Sequence, residues 1–366
     1  MKTLLFFGIF LLFFLALHGL FYFRVIKYLL VSTQIKKTLI ILLGFNFLFN
    51  LLYVAGRYTD IIPNGLYYLF SISIGITFVL LLYLILHEIL YLFHKTLKHV
   101  DRSKREFIKK SGDGLLLTLG TGYVSAGAYE GSKTPALNVI ELKKFDFTIV
   151  QISDLHIGGL IDRAFVKEAV RQINALKPDI VFITGDLVDT AIDYIQESIL
   201  ELDKINSKHG TYYILGNHEY FHEPLKIIEF MKQTSIKTLL NETAVIDALK
   251  INIVGVTDLF GYRIDMLVPD IDQAYKGCNP EYKTILLAHQ PKFIEYLKDY
   301  TPDLILSGHT HGGQIWPFNY LVRLQQPYVK GLHRLLNGSY IYVNSGIGFW
   351  GPPMRLGSQA EITFLI

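Results

Sequence analysis

Residues 147–189 read FTIVQISDLHIGGLIDRAFVKEAVRQINALKPDIVFITGDLVD, and this stretch decides the fold of the second half of the chain. Its two ends, 147–152 and 179–184, are short runs rich in β-branched residues, which favour strands. Between them, apolar residues recur at helical spacing over 165–176. A strand, a helix and a second strand in this order predict a βαβ unit and therefore an α/β fold.

The same pattern continues towards the C-terminus. Further strands are predicted at 212–215, 284–288, 303–307 and 340–344. Polar residues follow where several of these strands end, and histidine, aspartate and asparagine dominate among them. Ligands of open α/β sheets bind outside the carboxyl ends of the strands, so residues distant in sequence are expected to meet in one crevice.

Five short clusters at these strand ends carry the chemistry. They are DLH at 154–156, GDLVD at 185–189, GNHE at 216–219, the isolated His289 and GHTH at 308–311. Their side chains offer the oxygen and nitrogen ligands that hold paired Mn, Fe or Zn ions, and no cysteine takes part. Because such ion pairs activate water for attack at phosphorus, the clusters predict a two-metal hydrolase.

The N-terminal part of the chain has a different composition. Hydrophobic residues make up 51% of the 366 residues and charged residues only 18%, and the apolar excess is concentrated before the clusters begin. Segments 4–23, 38–55 and 66–93 are predicted to be transmembrane helices, since about 20 apolar residues rising about 1.5 Å each cross a hydrocarbon core of roughly 30 Å. A signal peptide is a poorer interpretation of 4–23, because no small-residue cleavage site follows it.

These features predict three regions. A membrane domain with three transmembrane helices occupies 1–94, a basic cytoplasmic loop and linker occupy 95–142, and the catalytic domain occupies 143–366. The basic residues are densest over 95–110, and such runs stay on the cytoplasmic side.

The side of the membrane on which the catalytic domain lies depends on a fourth apolar stretch, 114–129. Its small residues make it compatible with a spanning helix and with a surface linker. The preceding SKREFIK, at 103–109, resembles a twin-arginine export signal whose first arginine is lysine, and such signals precede weakly apolar helices. We therefore expect a multi-pass protein of the inner membrane with its catalytic domain outside the cytoplasm, whereas a non-spanning 114–129 would leave that domain cytoplasmic.

Charge and cysteine content narrow the expected partners. The net charge of +3 gives no reason to expect nucleic acid, because the basic residues lie beside apolar segments. The single cysteine, Cys278, excludes an internal disulfide framework. Membrane lipids and a phosphate-ester substrate are the expected partners, and the sequence does not determine the oligomeric state.

The order DxH, GDxxD, GNHE, H and GHTH resembles that of the calcineurin-like metallophosphoesterases over residues 145–366. The longer strings ISDLH, TGDLVD, LGNHE and GHTHGGQ are most similar to the YkuE/YaeI-type branch, whose members carry N-terminal membrane or export segments. The resemblance implies a two-sheet β-sandwich flanked by helices, with a dinuclear metal centre at the sheet edge.

The resemblance also implies a role for each matched residue. It makes Asp154, His156 and His311 ligands of the first metal, Asn217, His289 and His309 ligands of the second, and Asp186 the bridge. A carboxylate suits the bridge, because two cations about 3.5–4 Å apart need a shared anion. The neutral Asn217 oxygen leaves the site cationic enough to hold a phosphate and to lower the pKa of a bridging water, so that a hydroxide is the expected nucleophile.

His218 follows a ligand without being one in the family pattern. It resembles the histidine that protonates the leaving oxygen, and Asp189 is expected to orient its ring. Glu219 is compatible with a structural role and with a direct one. Structural or exposed positions are expected for His209, His222 and His333.

Aromatic residues in the catalytic half are compatible with a core and with an apolar rim for a lipid-linked substrate. They are Phe260, Tyr262, Trp316, Phe318, Tyr320, Phe349 and Trp350. The favoured function is a membrane-anchored phosphodiesterase acting on a lipid-linked or envelope ester with two divalent metals, manganese favoured. The alternatives are a cytoplasmic-facing nucleotide-lipid pyrophosphatase of the UDP-diacylglucosamine type and, disfavoured by the intact ligand set, a non-catalytic metal-binding membrane sensor.

Overall fold

A computed structural model of the chain describes residues 2–56, 64–96 and 101–366. They divide into two compact units. The first consists of Met1–Tyr129 and Gly351–Met354, and the second of Glu130–Trp350 and Arg355–Ile366.

The first unit is helical. Its helices are α1 (Lys2–Arg24), α2 (Thr33–Gly56), α3 (Asn64–Thr96) and α4 (Arg102–Gly131), the last of which ends in the second unit. Among the described residues, three helical stretches are long and apolar enough to cross a membrane: Gly8–Tyr28, Thr33–Gly56 and Gly65–Phe93. They match the three predicted segments. The fourth stretch, 114–129, lies within α4 and is not one of the three.

Buried polar side chains join the first three helices. Asn46 of α2 donates a hydrogen bond to Thr77 of α3 at 2.7 Å, and its amide nitrogen lies 3.0 Å from Nε2 of His18 on α1. Asn50 also donates to Thr77, at 2.7 Å, and accepts a hydrogen bond from Ser73 at 2.8 Å. In apolar surroundings such bonds fix which helix faces meet, so this part of the chain packs through a specific polar seam.

The second unit is built on two sheets of six strands each. The strands are β1 (Ala136–Ile140), β2 (Ile149–Ile152), β3 (Ile180–Thr184), β4 (Thr211–Ile214), β5 (Lys237–Thr238), β6 (Glu242–Ile246), β7 (Ile251–Gly255), β8 (Lys283–Leu287), β9 (Leu304–Ser307), β10 (Gly331–Arg334), β11 (Tyr340–Val343) and β12 (Glu361–Leu365). The helices are α5 (Arg163–Ala175), α6 (Gln196–Leu202), α7 (Pro224–Met231), α8 (Gly261–Ile264), α9 (Ile271–Tyr275) and α10 (Phe318–Val322).

The strand order is β1-β12-β2-β3-β4-β5 in the first sheet and β10-β11-β9-β8-β7-β6 in the second. Strands β2 to β5 run parallel to one another, as do β7, β8, β9 and β11. The carboxyl ends of the parallel strands in each sheet therefore meet at one edge.

Both faces of the central strands are buried. In β3, Ile180 and Phe182 join the core between the two sheets, whereas Val181 and Ile183 pack with the helices on the outer face. This is why β3 reads as a continuous apolar run. Helix α5 begins at the cap Asp162, which accepts a hydrogen bond from the amide of Phe165 at 2.9 Å. The predicted α/β sandwich flanked by helices is confirmed.

One strand lies in the region assigned to the linker. Strand β1 pairs in parallel with β12, with Ala136 opposite Glu361, and the second compact unit includes residues from Glu130 onward. The β1 residues are half exposed at a sheet edge, and their partner lies at the far end of the chain. Local periodicity does not reveal such a pairing, because edge strands are defined by their neighbours.

Candidate metal centre

The strand ends gather the predicted ligands. Asp154 follows β2, Asp186 follows β3 and Asn217 follows β4 in the first sheet, whereas His289 follows β8 in the second. His309 and His311 lie beyond the end of β9. Residues from both sheets therefore meet at the same edge of the sandwich.

The backbone at this edge is strained. Asp154, His156, Asp186, His309 and His311 all have left-handed conformations, with φ between 49° and 69°. This conformation costs a residue other than glycine roughly 1–2 kcal/mol, so it persists only where surrounding bonds impose it. Here the amide of Asp154 bonds to the carbonyl of Gly185 and the amide of His156 to that of Asp186, each at 3.0 Å. Such clustering of strain is typical of a functional site.

The first ligand group consists of Asp154, His156 and His311, whose ligand atoms lie within 4.8 Å of one another. The Nε2 atoms of His156 and His311 are 3.0 Å apart, and Nε2 of His311 is 3.5 Å from Oδ1 of Asp154. Burial, and next the neighbouring His156, hold the pKa of His311 well below its usual range. His311 is therefore a neutral imidazole at neutral pH, which is the form that binds a metal.

The second group consists of Asp186, His289 and His309, again with ligand atoms within 4.8 Å of one another. Nδ1 of His289 donates to the carbonyl of Thr184 at 2.7 Å, so its Nε2 faces the Asp186 carboxylate at 3.2 Å. Burial, and next the charge on His289, lower the pKa of His309 to about 3. His309 is therefore also neutral at neutral pH.

The side-chain oxygen of Asn217 is a hydrogen-bond acceptor without a donor among the described residues. This oxygen is buried. Burying a carbonyl oxygen without a hydrogen-bond donor costs free energy unless a cation binds it. Its chain neighbours Gly216 and His218 bond to Glu219 and Asp186 respectively, which places Asn217 beside the second group.

Asp186 faces both groups. Its Oδ2 lies 3.2 Å from Nε2 of His289 and 3.9 Å from Nε2 of His156, and its Oδ1 accepts a hydrogen bond from the amide of His218 at 2.8 Å. Burial opposes ionisation, but the charges of His289, His218 and His156 together outweigh it and hold the pKa of Asp186 well below its usual value. An ionised carboxylate between two sets of imidazoles fits a dinuclear centre of divalent cations.

His218 and Asp189 form a hydrogen-bonded pair at the edge of the first group. Nδ1 of His218 donates to Oδ1 of Asp189 at 2.8 Å, so Nε2 is the ring nitrogen that lies away from this carboxylate. The His218 ring stands edge-on to that of His156, with centroids 4.4 Å apart. Nε2 of His222 lies 4.0 Å from the same Asp189 oxygen. The other two histidines lie elsewhere, His209 before the amino end of β4 and His333 on β10.

Glu219 lies behind the ligands. Its fully buried carboxylate accepts hydrogen bonds from the amides of Leu187 and Gly216, each at 2.6 Å, and of Asp186 at 3.2 Å. Burial, and next the charge of Asp186, raise the pKa of Glu219 to about 7. Of the two roles left open by the sequence, this geometry favours the structural one, because Glu219 ties the Asp186 loop to the Asn217 loop.

Two buried charged residues near the ligands were not predicted from the sequence. Arg355, 1% exposed, donates to the carbonyls of Ser345 at 2.9 Å and Gly346 at 3.1 Å, and its Nη2 is 3.4 Å from Nδ1 of His311. Asp258, 2% exposed, accepts a hydrogen bond from Gln290 at 2.9 Å. Neither lies in one of the five clusters, so only the fold reveals them.

The aromatic residues do not form one continuous rim. Phe260 packs edge-on against Phe221 with ring centroids 4.8 Å apart, and the Phe221 ring lies 5.4 Å from that of His218. Tyr262 stacks on Tyr296 instead, and Phe349 packs partly into the core. Aromatic side chains thus line the His218 side of the centre.

The chain is similar to proteins of one known family. The family model of calcineurin-like phosphoesterases matches residues 147–313. An uncharacterized metallophosphoesterase of Helicobacter pylori is 39% identical and covers 84% of this chain and 84% of its own. A Bos taurus protein described as a transmembrane protein with metallophosphoesterase domain is 34% identical over 66% of this chain and 59% of its own. The uncharacterized metallophosphoesterase YkuE of Bacillus subtilis is 30% identical over 71% of this chain and 96% of its own.

Proposed function

Since the chain belongs to the calcineurin-like metallophosphoesterases, it is a metal-dependent phosphoesterase associated with the membrane, and we propose that it is a membrane-anchored phosphodiesterase. The observation that carries the proposal is the His218–Asp189 pair, bonded at 2.8 Å, beside two groups of candidate ligands. A proton donor next to a metal centre suits an ester whose leaving oxygen needs protonation.

We assign each ion its own set of ligands. Asp154, His156 and His311 would hold one, and Asn217, His289 and His309 would hold the other. Asp186, which faces His156 and His289, would serve both. When bound, the two ions supply Lewis acidity and an activated water as nucleophile. Nitrogen and oxygen ligands without sulfur suit Mn, Fe and Zn, and we favour manganese.

His218 acts as the proton donor in this proposal. The Asp189 carboxylate fixes the proton on Nδ1 and stabilises the charged ring, so that Nε2 can deliver its proton to the leaving oxygen. Phe221, 52% exposed, and Phe260 line the same side and offer an apolar surface to an organic leaving group. A monoester has one organic group and a diester has two, so the apolar surface supports a diester through the additional group that it can contact.

We further propose a lipid-linked or envelope phosphate ester as the substrate, with the catalytic unit outside the cytoplasm. The apolar helices hold the chain in the membrane in which such esters reside. The basic residues at the start of α4 and the small-residue stretch that follows support the outward orientation. No nucleic-acid partner is proposed.

A substrate panel tests the function. Full-length detergent-solubilised protein with Mn²⁺ is assayed against aryl phosphodiesters, aryl phosphomonoesters and envelope lipids. We expect the diesters to be cleaved faster than the monoesters, and Asp186→Asn to abolish both activities. The control Asp272→Asn removes an exposed carboxylate that pairs with Lys298 and should leave the rates unchanged. Faster cleavage of monoesters would contradict the proposal.

A further inference from the structure

A cavity that is separate from the metal ligands lies next to the metal centre, between α10 and β10. It has a volume of about 370 Å³ and begins at Gly312, the residue after His311. None of the predicted metal ligands, nor His218 or Asp189, lines it. Its volume falls in the range of small-ligand sites, which is roughly 300–1,000 Å³. The cavity is therefore large enough for a ligand group of its own.

The wall of this cavity is positively charged. Arg323 and Lys330 line it, and no acidic residue is among its lining residues. Nζ of Lys330 is held by the carbonyl of Gly357 at 2.9 Å, and Nε2 of His333 donates to the carbonyl of Lys330 at 2.9 Å. A guanidinium and an ammonium in a cavity that no carboxylate lines favour an anion, and the planar fork of arginine matches phosphate oxygens.

An apolar rim borders the same cavity. It consists of Trp316, Tyr320, Leu321 and Leu324, which are 53%, 56%, 55% and 81% exposed. Trp316 also lines the cavity, and the other three lie on or next to α10, beside Arg323. Exposed apolar residues grouped in this way mark an interaction surface. A small soluble anion would leave the rim uncovered, whereas the chains of a lipid would cover it.

We propose that this cavity binds a lipid headgroup whose phosphate gives it a net negative charge and that the apolar rim covers the beginning of the lipid chains. The inference rests on the proposed function in one respect, since it takes this lipid to be the substrate. The headgroup phosphate in the cavity is separate from the ester at the metal ligands. The substrate class is therefore a lipid with an anionic phosphate in addition to the ester that is cleaved.

The tryptophans of the chain make a direct test feasible. There are two, Trp316 and Trp350. In a Trp350→Phe background, Trp316 in the cavity wall is therefore the sole tryptophan and reports on the cavity. Metal is removed with a chelator, and the full-length protein in detergent is titrated with dihexanoyl phosphatidic acid, dihexanoyl phosphatidylcholine or glycerol 3-phosphate. Trp316 emission and calorimetric heat are both recorded.

Phosphatidic acid should bind saturably and glycerol 3-phosphate more weakly. Phosphatidylcholine should show no saturable binding, because its choline cancels the charge of its phosphate. Arg323→Gln and Lys330→Gln should each weaken phosphatidic acid binding about tenfold or more, as expected for loss of a charge-assisted hydrogen bond. The matched control is Arg334→Gln, because Arg334 follows His333 on β10 and does not line the cavity. It should leave binding unchanged.

Three results would overturn the proposal. They are no saturable emission change and no heat with phosphatidic acid, equal binding of phosphatidic acid and phosphatidylcholine, and binding unaffected by Arg323→Gln. Glycerol 3-phosphate binding as tightly as the lipid would overturn the assignment to a lipid. The titration needs neither metal nor turnover, so a failure of the proposed phosphodiesterase activity would be seen separately, in the substrate panel.

Discussion

Replacement of His218 by alanine tests the role of the proton donor. The side chain contributes no predicted metal ligand, so bound metal should be retained. General acid catalysis contributes about 10²–10⁴ in rate, which corresponds to roughly 3–5 kcal/mol of transition-state stabilisation. We expect kcat for an alkyl or phenyl leaving group to fall by about this factor. For a 4-nitrophenyl leaving group the fall should be smaller, because nitrophenolate departs without a proton.

Loss of the charge in the 2.8 Å hydrogen bond from His218 to Asp189 should lower kcat by a smaller factor. Asp189→Asn replaces a charge-assisted hydrogen bond of about 1.5–3 kcal/mol by a neutral one of about 0.5–1.5 kcal/mol. The difference, about 1–1.5 kcal/mol, predicts a fall in kcat of roughly tenfold. In the double variant the Asp189 substitution should add little, because its partner ring is gone.

The assay measures initial rates with a pair of phosphodiesters that differ only in the leaving group, together with metal content for each variant. His209→Ala is the matched control, since His209 lies before the amino end of β4, and its rates should equal those of the wild type. Equal losses for both leaving groups in His218→Ala would refute proton donation. So would full additivity of the two substitutions.

Three further predictions follow from the site and the membrane segments. Asp186→Asn should lower bound metal and abolish activity, because the charge that faces both ligand groups is gone; metal analysis showing two ions per chain would contradict this. Glu219→Ala leaves three buried amides within 3.2 Å of its carboxylate without an acceptor, at roughly 1–3 kcal/mol each, so thermal unfolding should shift clearly downward. A reporter active only outside the cytoplasm should be active when fused after Glu130 and inactive when fused near Lys104, and the reverse result would place the catalytic unit in the cytoplasm.

The sequence predicted the site more completely than the fold around it. Its ligand clusters follow strands whose two faces are both buried, so that periodicity located β2 and β3 and the strand ends brought the clusters together. Six of the strands that the structure describes were not predicted: β1, β5, β6, β7, β10 and β12. The pairing of β1 with β12 joins segments from opposite ends of the unit. Long-range pairing of edge strands leaves no local pattern.

The roles of the residues that support the ligands could not be predicted from the sequence either. Glu219 has a motif position, but its role depends on which backbone amides the fold places around it. Arg355 lies outside the clusters and reaches the His311 ring only because the loop after β11 folds back to this edge. Such contacts are set by tertiary packing, which motif spacing does not encode.

The central claim, a metal-dependent phosphodiesterase, is tested most directly by one titration. Metal-free full-length protein receives increasing Mn²⁺, and the rates of bis(4-nitrophenyl) phosphate and 4-nitrophenyl phosphate hydrolysis are followed for the wild type and Asp186→Asn. We predict saturable, Mn²⁺-dependent hydrolysis with a higher kcat/KM for the diester, and no hydrolysis by the variant. A higher kcat/KM for the monoester, or equal rates in the wild type and the variant, would contradict it.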